Sequence, residues 1–460
     1  MNEEMTSTQT TSVPEQPKIL FLEKVGYGAG DLASNLLYAA IGSFLIFFYT
    51  DSIGISAGII GTIMLFSRVF DGVTDIGMGL LVDKTSTKHG KARPWILWMA
   101  IPFALTAISM FTVPDVSTVW KIVYIVITYN LFSLIYTAIN IPYGVLNSLI
   151  TQDAYDRSVL NIFRNFSATI GSMIIGVLTM PIVNAFGGEQ SSWIMTFTIF
   201  SIAAALLFYF TFRTTKERVG AAVSGSKSTN VPLGKGLKAL FSNKYWLIMV
   251  SLSIIGFMNL SISAGIGIYY AKYILGNEEL IGVLTVAQIL PTLIGLFLIA
   301  PIIKRFGKRN TMMIGLFVTM IGVIPILFNP ENVWLVVVAI AIRGIGTAPV
   351  GGTIFAMIAD TIEYGEWKYG VRTEGLVYSA GSFGTKVGSG LGAAILGWML
   401  SFGGYIGSVA IQSEAAIFTI KFIAIAVPLI LSIVQVILLS FHKLDKIYPK
   451  ILADLEARRG

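Results

Sequence analysis

The sequence predicts an all-α membrane protein with twelve transmembrane helices in two six-helix halves. Three observations carry this. Of 460 residues, 55% are hydrophobic and only 12% are charged, about half the charge of an ordinary soluble domain, so a water-soluble fold would lack the polar surface to coat itself. Mean hydropathy is +0.76, and apolar runs of about 20 residues, the length that crosses a bilayer, recur along the whole chain. The basic residues gather on alternate loops, the bias that orients helices in a membrane. The runs are too long and continuous for the alternating strands of an outer-membrane barrel.

Residues 1–24 begin MNEEMTSTQTTSVPEQPK, polar, partly acidic and without an apolar core. They read as a disordered cytoplasmic tail and not as a cleavable signal peptide. An N-terminal bundle over 25–212 holds six runs at about 26–50, 57–82, 95–113, 121–148, 162–185 and 193–212. Next comes the longest polar stretch, 213–244, with the Gly/Ser/Lys character of a cytoplasmic linker. A C-terminal bundle over 245–441 holds runs at about 245–272, 278–303, 311–328, 333–359, 376–402 and 414–441, and 442–460 forms a second cytoplasmic tail.

The halves echo each other. PYGVLNSLITQDAYD, from Pro142, closes span four and PVGGTIFAMIADTIE, from Pro349, closes span ten. Each has Gly two residues on (Gly144, Gly351), Asp eleven on (Asp153, Asp360) and an acid fourteen on (Asp156, Glu363). The basic turn after span two, DKTSTKHGKARP, is matched by KRFGKRN after span eight. Loop by loop, 26 Lys and Arg fall on the side of the N-terminal tail, three on the other and three within spans, which places both termini in the cytoplasm of an inner-membrane protein.

Composition also excludes. There is no cysteine, hence no disulfide, thiolate metal site or Cys nucleophile. The two histidines, His89 and His442, lie in polar segments, so neither an intramembrane His relay nor a His metal site is expected. The net charge of +7 is scattered between apolar runs, unlike the clustered patch of a nucleic-acid binder. No HExxH element, GxSxG-type nucleophile elbow or signalling domain stands out, which argues against an intramembrane enzyme and a receptor, and no cofactor is implied.

An ionisable group at the bilayer centre costs on the order of 3 kcal/mol, so the embedded charges are the informative ones. Among the 25 acids, only Asp31, Asp71 and Asp75 lie well inside spans. Asp71 and Asp75 share one helix face, with Arg68 a turn before. Two adjacent carboxylates either raise each other's proton affinity or hold a monovalent cation, the outline of a coupling-ion site for H+ or Na+. The alternative is structural pairing, Asp71 with Arg68 and Asp75 with Lys386. Asp31, with Asn35 and Tyr38 one and two turns on, makes a polar and aromatic stripe suited to sugar hydroxyls and a pyranose face. A buried acid needs a partner, and Arg164 at the start of span five is the obvious one. Lys386, in GSFGTKVGSGLG, lies too deep to snorkel and must pair across the halves, with Asp75 or Asp71. The glycines around it read as close helix packing. Arg343, near the start of span ten, reads as an interfacial residue.

A 6+6 repeat with a basic turn between spans two and three is the plan of the major facilitator superfamily, whose substrate sites lie between the halves. Within it, YGAGDLASNLLY, FFYTD, the Asp71–Asp75 pair followed by GKARPWIL, NIPYGVL, and DTIEYGEWKYGVRTEG with Lys386 downstream resemble the glycoside–pentoside–hexuronide:cation symporter family over about residues 18–445. The resemblance implies cation-coupled uptake of a glycoside or oligosaccharide by alternating access. It assigns Asp71 and Asp75, with Thr137, to the coupling cation, Asp31, Arg164 and Tyr38 to the sugar, and Lys386 to a place near the cation site; Asn140 and Lys386 are expected among the substrate-binding residues and Thr74 among the cation ligands. The chain departs from the family's best-known pattern at Asn140 and Gly144, where an acid and a Trp are replaced, and at Thr74, where an Asn stands beside the second cation carboxylate.

The expected partners are a sugar, a monovalent cation and the bilayer, with the chain working as a monomer. On rocking, Asp153, Asp156, Asp360 and Glu363 pair with nearby bases to close the cytoplasmic side, or are plain surface charges. Within the same fold the alternative is a carrier for an amphipathic lipid or a drug.

Overall fold

The computed structural model describes residues 19–219, 233–371, 374–407, 409 and 411–459. The expected N-terminal tail up to residue 18 and the middle of the expected linker, 220–232, lie outside the described residues.

No strand is present among the described residues; the chain is a succession of helices. Those of the first half are α1 (Phe21–Ala40), α2 (Ala57–Lys84), α3 (Arg93–Phe111), α4 (Thr118–Ile150), α5 (Ala154–Ala185) and α6 (Gln190–Thr214). Beyond Ala40 the first helix continues in two wider π-helical turns, Ile41–Leu45 and Phe48–Ser52. After α7 (Leu233–Ser242) come α8 (Lys244–Tyr273), α9 (Leu280–Ile321), α10 (Ile324–Phe328), α11 (Val333–Tyr369), α12 (Glu374–Phe402), α13 (Glu414–Ser440) and α14 (Leu444–Arg459).

Nine helical stretches among the described residues are long and apolar enough to cross a membrane. One of them, Leu280–Phe328, has 49 residues, about 75 Å of helix at 1.5 Å per residue and far more than the bilayer's roughly 30 Å core. It makes two crossings, because Gly307 at φ 77°, ψ 165° breaks it in the basic KRFGKRN turn. Glycine alone takes that left-handed geometry without strain. The α1 segment with its π continuation and α12 complete the twelve crossings expected.

Helix starts follow local capping chemistry. Asp153 Oδ1 accepts from the Asp156 amide at 2.8 Å to start α5, Asn243 from the Trp246 amide at 3.1 Å to start α8, and Asn332 from Trp334 and Leu335 amides to start α11. The beginning of the linker is a strap. The Glu217 carboxylate accepts from the backbone amides of Lys91, Ala92 and Arg93 at 2.8–2.9 Å, meeting the positive end of the α3 dipole. Its neighbour Arg218 grips Glu23 of α1 through two 2.7 Å hydrogen bonds.

Two segments expected as connector and tail contain helices. Helix α7 presents Leu240 to the core and leaves Phe241 exposed. Helix α14 buries Leu444, Ile451 and Leu455 against Tyr245 and Tyr364. Beside that contact His442 is buried with no hydrogen-bond partner among the described residues on either ring nitrogen, and burial pushes it from its usual 6.5 down to about 4. The docked state thus prefers the neutral ring, and an undocked His442 takes up a proton first. Docking of α14 is expected to be strongest above pH 6.5 and to weaken as pH falls to about 4, by about 3 kcal/mol in all. Limited proteolysis of the C-terminal helix across that range checks this, and His442→Leu is expected to flatten the profile.

Candidate functional site

On the side where α1 begins and α6 ends, the terminal side, the two halves stand apart. On the opposite, far side they are closely packed. Ala57 and Gly61 of α2 lie directly on Ala393, Ala394 and Gly397 of α12, and Gly176 of α5 lies on Thr285 of α9, so that an added Cβ at Gly397 or Gly176 would come within 2.3 or 2.5 Å of its neighbour. Toward the terminal side, Gly77, Gly144 and Gly351 face open space. No hydrogen bond or ion pair between described residues joins the halves there. The last tie is Lys386 to Asp75.

Helices α1 and α5 approach closely because Gly28 and Gly171 allow it: an added Cβ would lie 2.6 Å from Ser167 Oγ and 3.0 Å from the Leu32 carbonyl, respectively. That contact sets Arg164 Nε 3.1 Å from Asp31 Oδ2. The Arg164 guanidinium also covers the Tyr143 ring at 5.1 Å, and Tyr143 stacks on Tyr27 with centroids 4.9 Å apart. Asn35 donates to the Asp31 carbonyl at 2.9 Å, and Ser172 of α5 donates to Asn35 Oδ1 at 3.4 Å. Asn140 keeps a buried Oδ1 without a partner among the described residues. Tyr38 is half-buried and stacks on Tyr136, centroids 4.4 Å apart.

On α2, Arg68 Nη1 donates to Asp71 Oδ2 at 3.0 Å, while Asp71 Oδ1 is buried with no partner among the described residues. Asp75 pairs with Lys386 of α12 and accepts from the Thr137 hydroxyl at 3.0 Å; Lys386 Nζ also lies 3.5 Å from the Asp71 carbonyl oxygen. Both expected pairings are thus present, and they form one network with Thr137. Thr74 turns its hydroxyl back to the Asp71 carbonyl at 3.1 Å and is not aimed at the carboxylates. The glycines around Lys386 allow close packing as expected: an added Cβ at Gly388 would sit 2.4 Å from the Ile254 carbonyl and one at Gly390 2.9 Å from Arg68 Cγ. The buried Asp71 and the partly exposed Asp75 are thus balanced in charge by Arg68 and Lys386, each of which is itself only partly buried.

Sequence reading missed how the two groups meet. The Arg68 guanidinium lies 5.4 Å over the Tyr38 ring while it holds Asp71, so one side chain touches both the aromatic stripe of α1 and the carboxylates of α2. A cation–π contact leaves no sequence signature. Also missed was a charged cluster around Asp51 on the far side. Arg343 is not interfacial: it stands ten residues into α11, about 15 Å along the helix, and donates to Ser263 Oγ at 3.2 Å.

Three of the repeated acids are engaged inside their own halves. Asp153 caps α5, Asp156 lies 3.7 Å from Lys24, and Asp360 accepts twice from Lys308 at 2.7 Å. Glu363 also has a partner.

Among known proteins, the family model described as MFS/sugar transport protein matches residues 26–446. The isoprimeverose transporter of Lactiplantibacillus pentosus is 36% identical, over 99% of this chain and 95% of the relative. The putative glycoside/cation symporter YagG of Escherichia coli (strain K12) is 34% identical over 92% of each, and the glucuronide carrier protein homolog of the same strain is 32% identical over 95% of each. Among solved structures, the nucleoside transporter NupG superposes with a TM-score of 0.62 at 14% identity, over 94% of this chain and 99% of NupG, a likeness of fold.

Proposed function

The chain belongs to the MFS/sugar transport protein family, and on that premise we propose that it is a secondary active carrier importing a glycoside or oligosaccharide together with a monovalent cation by alternating access. The observation that carries this reading is the Arg68 side chain between Tyr38 and Asp71. It sits where an ion arriving at the carboxylates must disturb the stripe that Asp31, Asn35 and Tyr38 form on α1.

In this reading the sugar lies between the halves, held by Asp31 and Arg164 as a matched acceptor and donor pair, with the unpartnered Asn140 oxygen and the Tyr38–Tyr136 stack beside it. The coupling cation takes Asp71 and Asp75, with Thr137 as a neutral ligand. Lys386 serves as the resident counter-charge while the cation is absent, and its displacement frees it to reach the sugar. Thr74 joins only after rotating away from its own helix. The basic loops support a cytoplasmic terminal side, so the arrangement is inward-open, and both termini face the cytoplasm of a cell membrane. Asp153, Asp156, Asp360 and Glu363 then lie at the loop ends of the side that must close when the carrier turns outward. The reading includes a chain that works as a monomer, since the residues it assigns to sugar and cation all belong to one chain.

Accumulation of a radiolabelled glycoside in membrane vesicles, with and without sodium at fixed pH, tests this. Uphill accumulation that requires sodium identifies Na+ as the driver, and accumulation that follows an imposed pH gradient alone identifies H+. Equilibration without accumulation under both gradients would sink the symport reading.

A further inference from the structure

The far-side seal has a charged centre that the sugar and cation sites do not use. Asp51 stands at the end of the first span, in the second π-helical turn, and its side chain is 6% exposed. Its Oδ1 accepts from Lys272 Nζ at 3.0 Å and from the Tyr273 hydroxyl at 2.8 Å. Its Oδ2 accepts from the Tyr405 hydroxyl at 2.6 Å. These three donors belong to the other half, while a fourth, the Thr50 hydroxyl of its own half, donates to Oδ2 at 2.9 Å. Tyr273 and Tyr405 hydroxyls also touch each other at 3.1 Å, and the Thr50 hydroxyl lies 3.0 Å from that of Tyr269. The backbones close in as well: a Cβ on Gly407 would meet the Thr50 carbonyl oxygen at 2.2 Å, so glycine is required there.

We propose that Asp51 is the pin of the extracellular gate, and that Lys272, Tyr273 and Tyr405 are its sockets: the carrier turns outward only when this carboxylate leaves all three. The proposal rests on the alternating-access reading and adds residues that neither bind sugar nor hold the cation. Three features argue for a releasable lock and against plain packing. First, a carboxylate shielded from water is held by three polar donors across the line along which the halves must part, where an apolar contact would seal as well. Second, the pin is carried on π-helical turns, which are rare and concentrate at functional sites. Third, a cavity of about 340 Å³ lies against the cluster, with Phe47, Asp51, Lys272 and Glu278 in its wall, a size that admits a small ligand and gives water a route to the charges as they separate.

The absence of native cysteine makes the test clean. Ser56 and Ser401 face each other across the halves on the same side, hydroxyl oxygens 3.2 Å apart, close enough for a disulfide. In the full-length chain carrying Ser56→Cys and Ser401→Cys, oxidative crosslinking reports the closed gate and needs no substrate. Crosslinking is expected to be rapid in that background, and about tenfold slower when Asp51→Asn, Lys272→Gln or Tyr405→Phe is added. Lys272→Gln and Tyr405→Phe leave the carboxylate in place and guard against misfolding of the first variant. Unchanged crosslinking in all three folded variants would overturn the pin. A pin that responds in a protein accumulating no glycoside would leave the gate standing and remove the sugar reading.

Discussion

Replacing Asp31 with asparagine is expected to weaken glycoside binding by about 100-fold while leaving the protein in the membrane. The substitution keeps the shape and removes the charge that Arg164 meets at 3.1 Å. A hydrogen bond to a charged group is worth about 1.5–3 kcal/mol, which converts to roughly 10- to 150-fold in affinity. Arg164 is then left in the cavity without its acid, and the sugar loses the acceptor that takes its hydroxyl protons. Equilibrium binding to purified protein, at matched amounts of folded carrier, measures the change. An Asp31→Asn variant with unaltered sugar affinity would move the sugar site elsewhere. Asp31→Ala is the poorer choice, because it also opens a void beside Tyr143.

The second large effect is expected at Asp75. Asp75→Asn should reduce the steady-state accumulation ratio to about one, because the gradient of the coupling ion no longer pulls on the sugar, while downhill sugar movement persists. Asp75 meets both Lys386 across the halves and Thr137, so the change removes an ion ligand and the last tie on the open side together. Coupling is reciprocal at equilibrium: in the parent protein sugar must raise cation affinity by the factor by which cation raises sugar affinity, and in Asp75→Asn both factors should collapse to unity. Titrating each ligand at fixed levels of the other checks this. Retained uphill uptake would transfer the ion site to Asp71 alone.

What could be read beforehand divides along physical lines. Asp31 with Arg164 and Asp75 with Lys386 were legible because a charge in hydrocarbon has few allowed partners, and the second half has no embedded acid of its own to offer Lys386. The spans and the tight glycines near Lys386 follow from length, hydropathy and side-chain size. Asp51 was illegible because an acid at the end of an apolar run reads as the start of a loop. Its burial exists only once Lys272 and Tyr405 arrive from segments more than 200 residues away. The π turns that carry it have no composition of their own. Thr74 fails for a subtler reason, since its hydroxyl has a carbonyl of its own helix within reach and takes it. In α14 the spacing of Leu444, Ile451 and Leu455 was present in the sequence, yet the many charges between them favoured a tail.

On the inward-open reading proposed above, the packed far side also sets what an experimenter outside the cell would measure. A carrier resting with that side shut offers its site to the medium only in the fraction of time it spends turned outward, and the apparent dissociation constant is the intrinsic one divided by that fraction. An outward share of one part in a hundred makes a site look about a hundredfold weaker from outside than it is. Part of what such a carrier displays as selectivity and appetite is therefore set by residence time, and a change far from any sugar contact can make it appear a better scavenger.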